Sequence, residues 1–186
     1  MFTDTEQLEI VIVKDHVQLK LRELISDLPT ESYPNFKDMI LTGGCFASLF
    51  HNEEPNDWDV YLRDIDTAQS FDGLVMGDVG MWGLVKDVNP AYRTATKVSG
   101  KVITENAVSF KNGLQVITNN DKSGRKSFDF IHCMPYFDMA TQKLFISRLQ
   151  YDCIKQKKLV KNPDHARSLN QIRIEKFISR GWNLGA

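Results

Sequence analysis

The chain has 186 residues, 42% hydrophobic and 25% charged, with a formal net charge of -1. That length supports one core without a disulfide or zinc staple, and the near-neutral balance excludes a broad cationic field for holding nucleic acid non-specifically. Three cysteines, Cys45, Cys133 and Cys153, lie far apart with no CxxC pair, which argues against a disulfide framework or zinc site and fits a reducing compartment.

The first residues, MFTDTEQLEI, lack the basic-then-apolar order of a secretory leader, and no stretch approaches the ~18 apolar residues of a membrane span. The expectation is a cytoplasmic protein with no membrane contact. Val17, Leu21, Leu24 and Leu28 recur at helical spacing and predict an amphipathic helix over residues 5–28, stopped by Pro29 and Pro34. Asp38 to Thr42 (DMILT) reads as a buried strand running into a tight turn at Gly43-Gly44. Cys45 to Phe50 (CFASLF) is a short helix and His51 to Asn56 a polar loop. Asp57 to Leu62 (DWDVYL) alternates polar and apolar residues, the period of a half-buried strand.

The stretch 64–100, rich in Gly and Asp, yields no clear element. The runs 102–110 and 114–118 form a hairpin across Lys111-Asn112-Gly113, because Asn-Gly tolerates positive φ. Ser127 to His132 (SFDFIH) alternates as a further strand, and Gln142 to Ser147 (QKLFIS) suits a sheet edge. The basic run Lys155 to Lys161 reads as a solvated helix face. The tail is helical, with Ile174, Phe177 and Ile178 sharing a face before Arg180-Gly181-Trp182. This order implies an α+β fold: a short mixed sheet flanked by helices over residues 1–147, with a helical extension over 148–186 packed on it.

The chemistry concentrates in three places. Asp57 and Asp59, two apart on one strand, point to the same side, while Trp58 and Val60 face the core. Crowded carboxylates repel, and the remedies are protonation or a bound cation. Hard oxygen ligands favour Mg²⁺, with Mn²⁺ as a substitute. Gly43 and Gly44 follow a strand and open a helix, where backbone can approach a phosphate closely. Twelve residues, Cys45 to Asn56, separate Gly44 from Asp57, enough for a helix and loop that return the chain beside its first strand. Asp129, between Phe128 and Phe130, is costly to bury unless it is paired or metal-bound. Beside Asp57 and Asp59 it would complete a two-ion site that activates an attacking oxygen and holds a triphosphate.

TGG, twelve residues and DWDV together resemble the signature of the DNA polymerase beta-like nucleotidyltransferases. The resemblance implies a nucleotidyltransferase fold and Mg²⁺-dependent transfer of a nucleoside monophosphate from an NTP to a hydroxyl, releasing pyrophosphate. It carries over Gly43, Gly44, Asp57 and Asp59, and assigns Asp129 as the acid of the later strand. The spacing is also similar to the CCA-adding and bacterial poly(A) polymerase branch, but Phe46-Ala47-Ser48 stands where that branch has a bulky residue followed by Arg-Asp. The blocks NAVSF, LQVIT, SFDFIHCMPYFD and SLNQIRIEKFISRGW resemble short nucleotidyltransferase-like proteins of bacteriophages and some bacteria. That resemblance leaves the acceptor, RNA or protein, open and implies host cytoplasm as the place of action.

Ser48, one turn into the helix behind the glycines, is a further phosphate contact. His132 and Cys133 read as core packing and His51 as solvated. Arg93, Lys97 and Lys101 are candidate γ-phosphate cations, and Ser109 and Gln115 candidate cleft residues. Arg173, Lys176 and Arg180 share one helix and read as a solvated face, with binding of acceptor phosphates as the rival. Two rival functions stand beside transfer: a catalytically silent binding or phage assembly protein of the same fold, and a metal-dependent phosphodiesterase.

Overall fold

The computed structural model describes residues 1–62, 71, 107–117 and 128–185. Arg93, Lys97, Lys101 and the Gly/Asp-rich middle lie outside the described residues.

Helix α1 spans Asp4–Ser26. It begins with a capping box, in which the Glu6 amide donates to Thr3 Oγ1 (3.3 Å) and the Thr3 amide to Glu6 Oε2 (2.8 Å). Val13, Val17, Leu21, Leu24 and Ile25 form its buried stripe, close to the expected face, and the helix ends at the Asp27 cap ahead of Pro29. Strand β1 (Ile40–Thr42) leads through the glycine pair into α2 (Cys45–Leu49), and β2 covers Trp58–Tyr61. Strands β3 (Ala107–Ser109) and β4 (Leu114–Ile117) form the expected hairpin, with Gly113 at φ +92°. Asn112 Nδ2 donates to the Leu24 carbonyl (3.0 Å) and so fastens that turn to α1.

Strands β5 (Tyr136–Asp138) and β6 (Lys143–Phe145) complete a six-stranded mixed sheet in the order β3-β4-β2-β1-β5-β6. Only the β2–β4 pairing in it is parallel; the other four are antiparallel. Leu41, Val60, Val108, Leu114, Val116 and Phe137 turn one side of the sheet into the main core with α1. The pleat sends Asp59, Gln115 and Ser109, which are in register across β2, β4 and β3, to the opposite side. The fold is therefore α+β, as expected, with β6 at the predicted edge.

Three expectations need correction. Of the run Ser127 to His132, the described residues 128–132 do not form a strand. Phe130 makes an isolated bridge to Lys161, and Ile131–Cys133 is a 3-10 turn. Phe130, Ile131, His132 and Cys133 are all buried, so the segment is enclosed on every side instead of alternating between core and solvent. The basic run after Lys155 leaves the helix. Helix α3 ends there (Arg148–Lys155), Lys157 adopts φ +47°, and β7 (Lys158–Leu159) pairs in parallel with β8 (Asn183–Leu184). In α4 (Gln171–Ile178) Ile174 is buried, but Ile178 is exposed. Ala47, Phe130, Cys133, Leu159, Ile174 and Trp182 form a second cluster, with Phe177 packed against it, so α2 lies between two apolar cores.

Candidate active site

Asp59 sits on β2 and points away from the main core. Its closest structural partner is an absent side chain: a Cβ on Gly43 would lie 3.0 Å from Asp59 Oδ2. Gly43 has φ +100°, a conformation that L side chains rarely adopt, so both backbone and space demand glycine. The turn is held by the Gly43 amide donating to the Cys133 carbonyl (3.1 Å) and by Thr42 Oγ1 donating to the Pro135 carbonyl (2.8 Å). Gly44 has open space where its side chain would be. The GG turn and the second acid of DWD thus meet, as the sequence spacing anticipates.

Asp57 departs from the expected placement. It lies one residue ahead of β2 and is exposed. It still acts on its neighbour: burial, then the nearby Asp57 charge, push the Asp59 carboxyl from its ordinary 3.8 up to about 6, with Arg173 pulling the other way. Asp59 Oδ1 is buried and has no hydrogen-bond partner among the described residues.

Asp129 precedes the Phe130 bridge in a bend. Its Oδ2 accepts an ion pair from Arg173 Nε at 2.6 Å, while Oδ1 is buried without a partner among the described residues. Two cavities meet around these groups. The first, about 490 Å³, includes Gly44, Ser48, Asp57, Asp59, Gln115 and Arg173 in its lining. The second, about 480 Å³, includes Gly43, Gly44, Asp59, Asp129 and Arg173. Asp57 and Asp129 therefore each share a cavity with Asp59, on either side of it. Among the described residues no three His, Cys, Asp or Glu side chains gather closely enough to hold one metal ion together.

The chemistry of the donors still suits a hard cation. Asp59 carries an unpartnered buried oxygen next to a second carboxylate, and its raised pKa records first its burial and then that crowding. Asp57 and Asp59 offer oxygen donors of the kind a divalent ion takes. Asp129 is neutralised by a guanidinium instead.

Gln115 Nε2 donates to Ser109 Oγ (3.2 Å), so these two line up beside Asp59. Ser48 is half-buried in the first cavity. His51 is not free in solvent: its Nε2 lies 2.8 Å from the Ile154 carbonyl. His132 and Cys133 are fully buried, and burial pushes His132 from 6.5 down to about 3 and Cys133 up to about 12. His132 packs on Trp182 (centroids 4.1 Å apart) and Phe177 (4.8 Å). Packing, not ligation, describes both. The residues that the sequence reading set aside are the cations. Arg173, Lys176 and Arg180 line the first cavity together with Lys157, in the same lining as Asp57 and Asp59. Their spacing of three and four was the available signal, but the face it defines borders the cleft.

Among the described residues no helix is long and apolar enough to cross a membrane. A comparison with curated proteins finds no match. Among solved structures, the chain is similar to the Thermotoga maritima CCA-adding enzyme complexed with tRNA, at TM-score 0.49 and 12% identity, covering 80% of this chain and 35% of that one. It is also similar to the Bacillus stearothermophilus CCA-adding enzyme in complex with CTP, at TM-score 0.48 and 12% identity, covering 80% and 36%. This chain spans little more than a third of the length of those enzymes. The family model described as "Gabija anti-defense 2 family protein" matches residues 15–171, most of the sequence. The chain belongs to the Gabija anti-defense 2 family.

Proposed function

We propose that this protein is a magnesium-dependent nucleotidyltransferase, with the nucleotidyltransferase fold, that moves a nucleoside monophosphate from an NTP to a hydroxyl of an RNA or protein acceptor. The observation that carries the reading is the apposition of Gly43 and Asp59. A left-handed glycine at the mouth of a short helix makes room for a buried, half-unpartnered carboxylate on the neighbouring strand. A structural acid has no need of a second acid two residues away or of a glycine that leaves its oxygen uncovered. The family's description adds a setting: the transfer would serve antagonism of Gabija defence, in the host cytoplasm of a bacteriophage infection.

Asp57 and Asp59 would hold Mg²⁺, with Mn²⁺ as a substitute, and Asp129 would join them once released from Arg173. When bound, the metal supplies positive charge for the triphosphate and lowers the pKa of an attacking hydroxyl. The protein's own residues do the positioning. Gly43 shapes the turn while its amide is held by the Cys133 carbonyl, Gly44 leaves open space for phosphate, Ser48 offers a hydroxyl one turn later, and Gln115, fixed by Ser109, lines the same cleft. Arg173 balances Asp129 and holds down the Asp59 carboxyl. Little proton chemistry is asked of the side chains, since orientation and fixed charge do most of the work.

The test is incubation with each labelled NTP, Mg²⁺, and separate RNA and protein fractions, following both label and pyrophosphate. Label in one fraction with stoichiometric pyrophosphate is expected, and Asp57→Asn or Asp59→Asn should abolish it while leaving the fold intact. Equal turnover in either variant would overturn the assignment. The Arg173–Asp129 pair favours a second reading, a protein that binds NTP in this cleft without transferring it. That reading predicts an NTP-linked rise in melting temperature with no pyrophosphate released.

A further inference from the structure

The tail carries Arg173 and Lys176 on α4 and Arg180 in the turn just beyond its Ser179 cap, at spacings of three and four. That segment is anchored by Ile174 and Trp182, which are buried, and by Phe177, which packs on Trp182 at 5.6 Å and carries the Arg173 guanidinium over its ring. The cationic face is thereby held toward the cavity that contains Asp57 and Asp59. Two of the cations on this wall already have partners. Arg173 pairs with Asp129 at 2.6 Å and Lys157 with Glu53 at 3.4 Å. Lys176 and Arg180 have no acidic partner among the described residues, though both line the cleft. Like charges brought to one cavity wall repel, and an anion placed between them relieves that repulsion.

We propose that Lys176 and Arg180 form the seat for the polyphosphate chain of a nucleoside triphosphate, facing the metal-binding acids across the first cavity. The inference rests on the nucleotidyltransferase reading and adds to it the residues that receive the triphosphate. The volume of this open cleft, about 490 Å³, is within the roughly 300–1,000 Å³ of small-ligand sites. Paired cations opposite carboxylates suit a ligand that is anionic along one edge and shares a cation with the acids along the other. A nucleic-acid backbone would instead call for a longer basic track, and the net charge of -1 leaves little to build one.

The experiment measures binding of ATP with Mg²⁺, of inorganic tripolyphosphate, of adenosine, and of a 5′-hydroxyl RNA oligonucleotide. The proteins are the wild type, Lys176→Gln, Arg180→Gln, the double variant, and Lys143→Gln on the distant edge strand. All of these positions are exposed, so the variants should fold, which circular dichroism checks. The wild type and Lys143→Gln should bind ATP and tripolyphosphate and bind adenosine poorly. Each single variant should lose about tenfold in affinity for both anions, and the double variant more. Unchanged anion affinity in the double variant, no tripolyphosphate binding by the wild type, or a loss confined to the RNA oligonucleotide would each overturn the proposal. The RNA outcome would make this wall the acceptor's. Loss of tripolyphosphate binding in the variants of a protein that transfers no nucleotide would keep the subsite and remove the enzymatic reading. Active transfer with unchanged anion binding would do the reverse.

Discussion

Asp59→Asn should stabilise the metal-free protein at neutral pH, although it removes the central acid. The wild-type carboxyl titrates at about 6 in the fold against 3.8 when free, chiefly because burial and Asp57 disfavour its charge. A raised carboxyl pKa means that the folded state holds its proton more tightly than the unfolded chain. The stability attached to that proton is fully present below about pH 4, declines as pH rises through about 6, and is gone above it. At ~1.4 kcal/mol per tenfold change, the gap corresponds to about 3 kcal/mol lost by pH 8. Asparagine has no charge to desolvate, so it should regain most of this amount at pH 8 and none at pH 4. For a chain of this size that is roughly 6–12 °C in melting temperature. The assay is a pair of thermal or urea melts with EDTA at each pH, followed by the same melts with Mg²⁺. Mg²⁺ should raise the wild-type midpoint at pH 8 and leave that of Asp59→Asn where it was. A variant less stable than wild type at pH 8, or equally displaced from it at both pH values, would refute the electrostatic account of the site.

Gly43→Ala should destabilise the fold by about 1–3 kcal/mol in urea melts, since it combines a strained positive φ with a Cβ pressed against Asp59 Oδ2. It should also weaken Mg²⁺ binding, read from the metal-linked shift in melting temperature. Arg173→Gln leaves the buried Asp129 oxygens without their cation and should cost about 1–3 kcal/mol in metal-free melts at pH 8. Mg²⁺ should restore more stability to that variant than to wild type. His132 has a folded pKa pushed from 6.5 down to about 3, so stability falls as pH drops below 6.5 and reaches its floor near 3. His132→Phe should flatten that decline in melts between pH 7 and 4.

The glycine pair and the second acid were legible because their geometry is local: strand, turn, short helix and returning strand fix Gly43 against Asp59 within seventeen residues. The hairpin was legible for the same reason, since Asn112-Gly113 dictates its own backbone. Asp57 was harder, because alternation continues through it although the ladder begins at Trp58. SFDFIH alternates on paper, yet Phe130 to Cys133 are buried consecutively, which only the arrival of α2 and the tail around them can decide. Strand β5 is three residues after Pro135, too short for any period to register. The β7–β8 pair joins segments more than twenty residues apart, a contact no local pattern announces. The cations of α4 show the limit most clearly. Their common face was visible, but what it faces depends on where Trp182 anchors the helix end.

The charge distribution unites these features. A molecule with a net charge of -1 gathers Asp57 and Asp59 from the sheet, Asp129 from the bend before Phe130, and Arg173, Lys176 and Arg180 from the tail around one pair of cavities. Burial and then Asp57 lift the Asp59 pKa, and the cations gathered on the other side repel one another. Each wall relieves the other only in part, through Arg173 and Asp129. The residue of unbalanced charge, negative at Asp57 and Asp59 and positive at Lys176 and Arg180, matches a metal-bearing polyphosphate in both sign and order. The second apolar cluster, built from α2, the 130–133 segment and the tail, keeps the two walls facing each other. On the proposed reading the segment 171–182 supplies one wall of the nucleotide cleft, so a Trp182→Ala variant should lose ATP affinity as well as stability.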